Sequence, residues 1–445
     1  MNPIDELLPK LKAFHNALQN SKPLESGDPL YVPILQQNPA ADPILQLSQR
    51  IDFAVSESVN LLTGFRGNGK STELLRLKHL LENQGHIVIL TNMQQYVLMT
   101  KPLELADFLL SLIAALANRT KSEFGIESIK DSPLSRFWDF LTETQVELEQ
   151  VEFGSNLDIV TAKVGMRLQR DANFKRQVQE KLRGNLDGLV QNAQAYILDL
   201  VKRLQQGDAN KKIVLLVDSL EQIRGVGDDA RSVYDSIVEL FSGQAANLAL
   251  PGLHVVYTVP PFLIPRAPNI ARNLGGNPIC IWPNIHVRKK DGTEDPAGLA
   301  IMQEIIERRY PDWRQFYTQT QLFRLAKESG GDIRDYFRLM REGLLGLSAA
   351  RTVHQDAKPA AVSDDMLNRA IMQLINEFQP IPEQDKKYLE KIHHSKHHAL
   401  DGMDDLPTLT RFLDANMIMN YLNGEPWYDV HPVLIKLLRS SDDAP

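Results

Sequence analysis

The sequence predicts an α/β fold: a parallel sheet with helices on both faces, a helical insertion, a helical lid and a C-terminal winged-helix-like domain. Three observations predict it. Continuous apolar runs such as HIVILTN and KKIVLLVDSLEQI read as strands buried on both faces. Such runs alternate with helix-patterned segments, the order that produces parallel sheets. The run VNLLTG passes directly into a glycine-rich turn and then into STELLRLKHLLENQG, giving strand, loop and helix in succession.

Along the chain, residues 1–22 fit an amphipathic helix, with Leu7, Leu8, Leu11, Phe14 and Leu18 near one face. A proline-rich arm runs from Lys22 to Pro43, and a second helix from Pro43 to about Val59. HIVILTN is the second strand. Residues 101–208 are mostly helical, dominated by DSPLSRFWDFL and the run from Asn173 to Gln206. That length exceeds an ordinary crossover and implies a module for partners or assembly. KKIVLLVDSLEQI, LHVVYTVP and PICIWPNIHV are the remaining strands, and VRKKDGTEDP closes the core.

Helices are expected at Leu299–Arg309, at Gln319–Ser329 and over GGDIRDYFRLMREGLLGL, then a loose linker at Ser348–Ser363. Further helices follow near Asp364–Phe378, Glu383–His394 and Pro407–Leu413. Asn423-Gly424 reads as a hairpin turn between two β-prone runs. The expected organisation is an N-terminal helix and arm (1–42), a core (43–290, insertion about 101–208), a lid (291–350) and a winged-helix-like domain (360–445).

A chain of 445 residues is too long for one hydrophobic core. With 43% hydrophobic and 24% charged residues it has an ordinary globular composition, and a net charge of -7 argues against a generally basic nucleic-acid binder. The lone Cys280 allows no intramolecular disulfide. The N-terminus lacks the basic-then-apolar run of a signal peptide, and no stretch of about 18 apolar residues occurs. A soluble cytoplasmic protein, with no membrane association, is the expectation.

Gly64-Phe65-Arg66-Gly67-Asn68-Gly69-Lys70-Ser71 matches the phosphate-loop pattern G-x-x-x-x-G-K-[ST] without departure. Glycines let the backbone turn tightly so that its N–H groups surround a polyphosphate. Lys70 brings positive charge to the outer phosphates, and the Ser71 hydroxyl can bind Mg²⁺. The helix that follows directs its positive dipole end at the anion. The residues expected to hold ATP are Gly64, Gly67, Asn68, Gly69, Lys70, Ser71 and Thr72.

Such a loop needs a second strand ending in a carboxylate. Ile213-Val214-Leu215-Leu216-Val217-Asp218 supplies it, with Asp218 expected on Mg²⁺ beside Ser71. Glu221, three residues on, is placed to polarise an attacking water. Gln222 follows it.

The GFRGNGKST loop and the VLLVDSLEQI strand, together with VVYTVPP and GGDIRDYFRLMREG, resemble the additional-strand ATPases of the AAA+ and STAND group. The likeness is nearest to bacterial members related to NACHT proteins, origin initiators and transposition regulators, and it covers roughly Tyr31 to Leu347. In that group the second-acid strand and a polar-tipped strand lie beside the P-loop strand. The resemblance makes Thr258 the tip residue sensing the outer phosphate and Arg334 the lid arginine, with Arg338 one turn further. Arg266 or Arg272 lies where relatives keep an arginine finger supplied to a neighbouring subunit. Ser219 stands where STAND proteins often carry a second acid, and DSLEQ only partly matches the NACHT run.

The run HHSKHH places His393 with His397, and His394 with His398, at a spacing that can bind zinc on a helix, but no acid or cysteine completes a set. Lys386, Lys387, Lys391 and Lys396 are scattered among acids and histidines rather than clustered for DNA. Trp427, Tyr428 and His431 suit either a recognition surface or a small core.

The resemblance implies a nucleotide switch that closes on ATP and then oligomerises or releases a partner, often in antiphage systems with a separate effector protein. No nuclease, protease or TIR-like motif stands in the chain itself. The competing expectation is a DNA-loading or transposition-type ATPase. A metabolic kinase has no need of the insertion or the C-terminal segment.

Overall fold

The computed structural model describes residues 6–19, 22–35, 42–126, 132–144, 157–208, 210–353, 358–398, 401–423 and 425–438. The chain forms two compact units. One comprises Ala40–Thr63 and Glu73–Ile281; the other comprises Met1–Pro39, Gly64–Thr72 and Trp282–Pro445. The expected lid and the expected C-terminal domain both fall in the latter.

The first of these units holds a five-stranded parallel sheet built from β1 (Ser58–Thr63), β2 (Ile87–Asn92), β3 (Ile213–Asp218), β4 (Leu253–Val259) and β5 (Cys280–Ile281). The order across the sheet is β2-β3-β4-β1-β5. The fold class is thus the expected α/β core. Every residue of β3 and β4 is buried, which is why their sequences run apolar without alternation. The polar-tipped strand β4 is the immediate neighbour of β1, and the acid strand β3 lies one further over. Leu62 is level with Thr258 and Val217 with Tyr257, so Asp218 and Thr258 end their strands in one row.

Two expected elements are shorter. The helix expected to reach Val59 covers Pro43–Phe53, capped at its start by Asp42, whose carboxylate accepts from the N–H groups of Ile44 and Leu45. At its end the Lys212 ammonium takes the carbonyls of Ile51 and Asp52, groups that the last turn leaves without helical partners. The fifth strand shrinks to two residues because Pro278 and Pro283 flank it and neither can donate to a ladder.

The insertion is helical as expected, with helices Leu105–Phe124, Pro133–Glu143, Leu157–Arg170, Ala172–Leu182 and Leu186–Gln205. The helical run from Asn173 to Gln206 is divided between two helices, interrupted at Arg183–Asn185 around Gly184. The first of the five helices is buried along most of its length. Its Asp107 forms a buried ion pair with Lys175 at 2.7 Å, the side chains being 2% and 4% exposed. Asp107 also accepts from Gln179 and from the Glu104 N–H, both at 2.9 Å. These bonds offset the cost of removing two charges from water.

In the other unit, helix Leu7–Ala17 buries Phe14 in a stack on Tyr310, centroids 4.5 Å apart, and edge-on to Tyr317. Helix Ile333–Val353 runs through the first part of the expected linker. Beyond it Val362 is tied back, its N–H donating to the Phe316 carbonyl at 2.9 Å. Helices Asp364–Glu377, Glu383–Ser395 and Leu406–Asp414 precede an antiparallel hairpin of β6 (Ile418–Asn423) and β7 (Glu425–Val430). Gly424, expected in its turn, lies outside the described residues. Met419, Tyr421 and Trp427 form the hairpin's core, so Trp427 is a packing residue.

The histidine run does not keep the helical spacing that its sequence offers. Helix Glu383–Ser395 ends before His397, with Lys396 in the left-handed conformation at φ 59°, so His397 and His398 do not share its faces. His393 bonds Asp429 at 2.7 Å and His398 packs on Tyr428. Among the described residues no group of histidines, cysteines and acids is arranged to hold a metal, and no helix is long and apolar enough to cross a membrane.

Lys175→Ala strands Asp107 as an uncompensated buried charge and should destabilise the protein by about 3 kcal/mol. Urea unfolding followed by circular dichroism checks it; a loss below about 1 kcal/mol would mean that water reaches the pair.

Candidate functional site

β1 ends at Thr63, and Gly64 begins the turn that carries the chain into helix Lys70–Asn83. The glycines are dictated by space and by backbone angle. A Cβ on Gly64 would stand 2.6 Å from the Trp282 carbonyl oxygen. Gly67 and Gly69 adopt φ of 95° and 89°, a region closed to ordinary side chains. The position of a Cβ on Gly69 has nothing within 4 Å, so the turn is open there.

The loop's polar side chains are engaged. Asn68 donates from Nδ2 to the Trp282 carbonyl at 2.9 Å, and the Trp282 ring Nε1 donates back to the Asn68 carbonyl at 3.0 Å. Lys70 is 3% exposed, and its Nζ donates to the Phe65 carbonyl at 2.7 Å. Its ammonium is thereby curled over the same turn that it serves. The Thr72 hydroxyl accepts from the Leu24 N–H at 3.1 Å, which ties the N-terminal arm to the start of the helix.

Arg334 stands over this turn. A Cβ on Gly67 would meet the Arg334 Cβ at 2.8 Å and its Nε at 3.2 Å, and the Asp332 carboxylate at 3.1 Å. Arg334 is exposed and makes no hydrogen bond or ion pair to a described residue. Arg338, one turn on, is committed to Glu377. Asp332 is 1% exposed; its Oδ1 caps the following helix by accepting from the Asp335 N–H at 3.0 Å, while Oδ2 has no partner. Burial, and then the neighbouring Asp335 carboxylate, push the Asp332 pKa up to about 7, against the opposing charges of Arg334 and His431.

In the sheet unit, β3 ends at Asp218, which is 6% exposed and accepts from the Ser219 N–H at 2.7 Å. Ser219 takes φ 75°, reversing the chain into a short turn, Leu220–Gln222. The Thr258 hydroxyl donates to the Val217 carbonyl at 3.2 Å and accepts from the Leu220 N–H at 3.1 Å. Thr258 therefore fixes the turn that carries Glu221. Glu221 is 2% exposed, and its Oε1 accepts from Gln222 at 3.3 Å.

The two candidate finger arginines differ. Arg266 is bound to Asp235 and only 16% exposed, whereas Arg272 is exposed on helix Ile270–Asn273 with no ion pair to a described residue. Sequence reasoning missed Trp282 and Asp332. The only signal for Trp282 was its place just after the last strand; Asp332 sat unremarked inside a motif quoted for its arginine.

No protein-family model matches the chain, and no curated protein matches it. Among solved structures it is similar to the Walker-type ATPase paby2304 of Pyrococcus abyssi, at 14% identity and TM-score 0.41, covering 95% of this chain and 99% of that one. The ORC2 protein of Aeropyrum pernix, in ADPNP–ADP complexes, is 10% identical at TM-score 0.40, covering 96% and 98%. The RuvB Holliday junction branch migration motor of Thermotoga maritima is 14% identical at TM-score 0.33, covering 91% and 92%. At such distances this chain's own residues carry the functional reading.

Because Asp332 keeps its proton to higher pH when folded than when unfolded, it costs stability progressively as pH rises from about 4 to about 7, and the loss persists above that. Asp332→Asn keeps the cap and removes the charge. Its Tm should exceed the parent's, by on the order of 2 °C more at pH 8 than at pH 5. A gain equal at both values would place the folded pKa in the ordinary range.

Proposed function

We propose that this chain is an ATP-binding, Mg²⁺-dependent ATPase of the AAA+/STAND kind, working as a switch whose nucleotide state governs assembly or a partner. The observation that carries the reading is the turn Gly64–Ser71. It leaves the end of a parallel strand, holds two glycines at positive φ and delivers a buried lysine at the first residue of a helix.

Each residue takes a role from its chemistry. The backbone amides of the turn cradle the phosphates, and Lys70 exchanges the Phe65 carbonyl for a phosphate oxygen. Ser71 and Asp218 are the residues that would hold Mg²⁺, which supplies charge to the outer phosphates. Glu221 takes the proton of the attacking water, with Thr258 holding its turn in place. Arg334, exposed and without an ion pair to a described residue, is the lid arginine. Arg272 rather than Arg266 is the finger offered to a neighbouring subunit, since only its guanidinium is uncommitted to a described acid.

The segment after Ser363, three helices, a hairpin and a closing helix Pro432–Leu438, is read as a winged-helix-like domain. Assembly into a homo-oligomer and control of a separate effector, as in antiphage defence, complete the proposal. Three of the four lysines named in this segment are paired with acids, Lys386 with Glu383, Lys391 with Asp401 and Lys396 with Asp429, while Lys387 is exposed with no ion pair to a described residue. Locally neutralised lysines offer little to a phosphate backbone, which favours the switch over the DNA-loading reading.

Light scattering with a phosphate-release assay, with and without duplex DNA, tests the proposal. ATP and Mg²⁺ alone should raise the mass, and Lys70→Ala should abolish both assembly and turnover. Glu221→Gln should keep ATP binding and lower turnover by roughly a hundredfold. Turnover at the parent rate would remove Glu221 as the base, and assembly only with DNA would select the loader instead.

Arg272→Ala should cut turnover at least about tenfold while leaving ATP affinity intact, as a residue supplied in trans requires. Mixing it with Glu221→Gln should restore part of the activity. No recovery in the mixture would show that Arg272 does not act across subunits.

A further inference from the structure

We propose that Asp414 and Asn416 are positioning residues for the phosphate loop, holding the peptide between Arg66 and Gly67 so that the Gly67 N–H faces bound phosphate. The inference rests on the nucleotide reading above and identifies which distant residues preset that loop.

Arg66 is the third residue of the turn, a position at which the motif accepts any residue. Here both ends of it are fixed. Its guanidinium donates to Asp414 twice, to the carboxylate at 2.6 Å and to the backbone carbonyl at 3.1 Å. The two side chains are 17% and 9% exposed, so bulk salt screens the pair weakly. The main-chain carbonyl of Arg66 accepts from the Asn416 Nδ2 at 3.2 Å.

A peptide unit is planar and trans, so its C=O and the following N–H point in opposite directions. Turning the Arg66 carbonyl toward Asn416 therefore turns the Gly67 N–H away from Asn416. Phosphate loops bind anions through such N–H groups, and a flipped 66–67 peptide would present a carbonyl oxygen to the phosphates instead. Glycine at 67 lowers the barrier to that flip, because both signs of φ are open to it. The loop cannot secure its own orientation, and the external bond to the carbonyl supplies what glycine gives away.

Asn416 is suited to this task. It sits at φ 55°, where asparagine is better tolerated than other residues with a Cβ. The turn is braced on both sides: the Met417 N–H donates to the Phe412 carbonyl and the His431 N–H to the Met417 carbonyl, each at 2.9 Å. The amide is thus presented from a rigid corner between helix Leu406–Asp414 and β6.

ATP and ADP affinities of the full chain, measured by titration calorimetry with Mg²⁺, test the inference, with Tm recorded for each variant. Asn416→Gly keeps the left-handed backbone and deletes the donor; it should bind both nucleotides roughly three- to tenfold more weakly. Asn416→Asp keeps shape and conformation but sets an acceptor against the Arg66 carbonyl, so it should bind more weakly still. Asp414→Ala should match Asn416→Gly to within about threefold.

A purely structural role for residue 416 reverses the order, because aspartate is the closer mimic and glycine the more disruptive change. Aspartate binding as the parent does, or better than glycine, overturns the inference. If the parent binds ATP, Lys70→Ala does not, and both Asn416 variants bind as the parent does, this inference alone fails. If the parent binds no ATP, the nucleotide reading fails and takes this inference with it.

Discussion

Everything proposed for this protein depends on one backbone constraint: the turn Gly64–Ser71 must point a row of N–H groups at an anion and still be held in shape. Gly67 and Gly69 make the turn possible by accepting positive φ, and Gly64 makes room for the Trp282 carbonyl. Permissive residues do not specify a single conformation, because the freedom that lets glycine adopt the turn lets it leave. The shape is supplied from outside. Trp282 bonds Asn68 in both directions, Leu24 reaches Thr72, and Asp414 and Asn416 bind Arg66. These partners come from three remote stretches of chain.

The acid turn after β3 solves the same problem with a different device. Two carboxylates, Asp218 and Glu221, are buried within four residues of each other. Burying them is costly unless hydrogen bonds replace water. Ser219 provides an N–H to Asp218 by taking a left-handed conformation, and the Thr258 hydroxyl bridges the adjacent carbonyl and N–H. Thr258 was read from family resemblance as a phosphate sensor. Its observed bonds are to the backbone of the neighbouring strand and turn, so it holds in place the turn that carries Glu221.

Asp332 is as buried as Glu221, and burial with the nearby Asp335 carboxylate brings its pKa near neutrality. It caps helix Ile333–Val353, the helix that sets Arg334 over Gly67. A group that charges near neutrality beside the glycine turn makes the ground under Arg334 sensitive to pH.

How much could be read in advance follows from the range of the forces involved. Local order is encoded locally: the apolar runs gave β1 to β4, the glycine spacing gave the loop, and a strand ending in an acid gave Asp218. The sheet was legible because buried parallel strands need unbroken apolar sequence, and the loop because its angles restrict residue type. The helix end at Phe53 was not legible, since the Lys212 ammonium that caps its last carbonyls comes from 160 residues away. Nor was the brevity of the fifth strand obvious until Pro278 and Pro283 were seen to deny it a ladder. The histidine spacing is not realised on one helix, because a left-handed Lys396 ends it between the two pairs. Arg266 and Arg272 were alike in sequence and became distinct only when folding brought Asp235 to one of them. The sequence by itself determined which residues could bind and activate a nucleotide, because that chemistry requires particular groups at fixed short spacing. Only the tertiary structure decided what holds those groups in place, because the bonds from Trp282, Asp414 and Asn416 are made by residues more than 200 positions away, where no local pattern can record them.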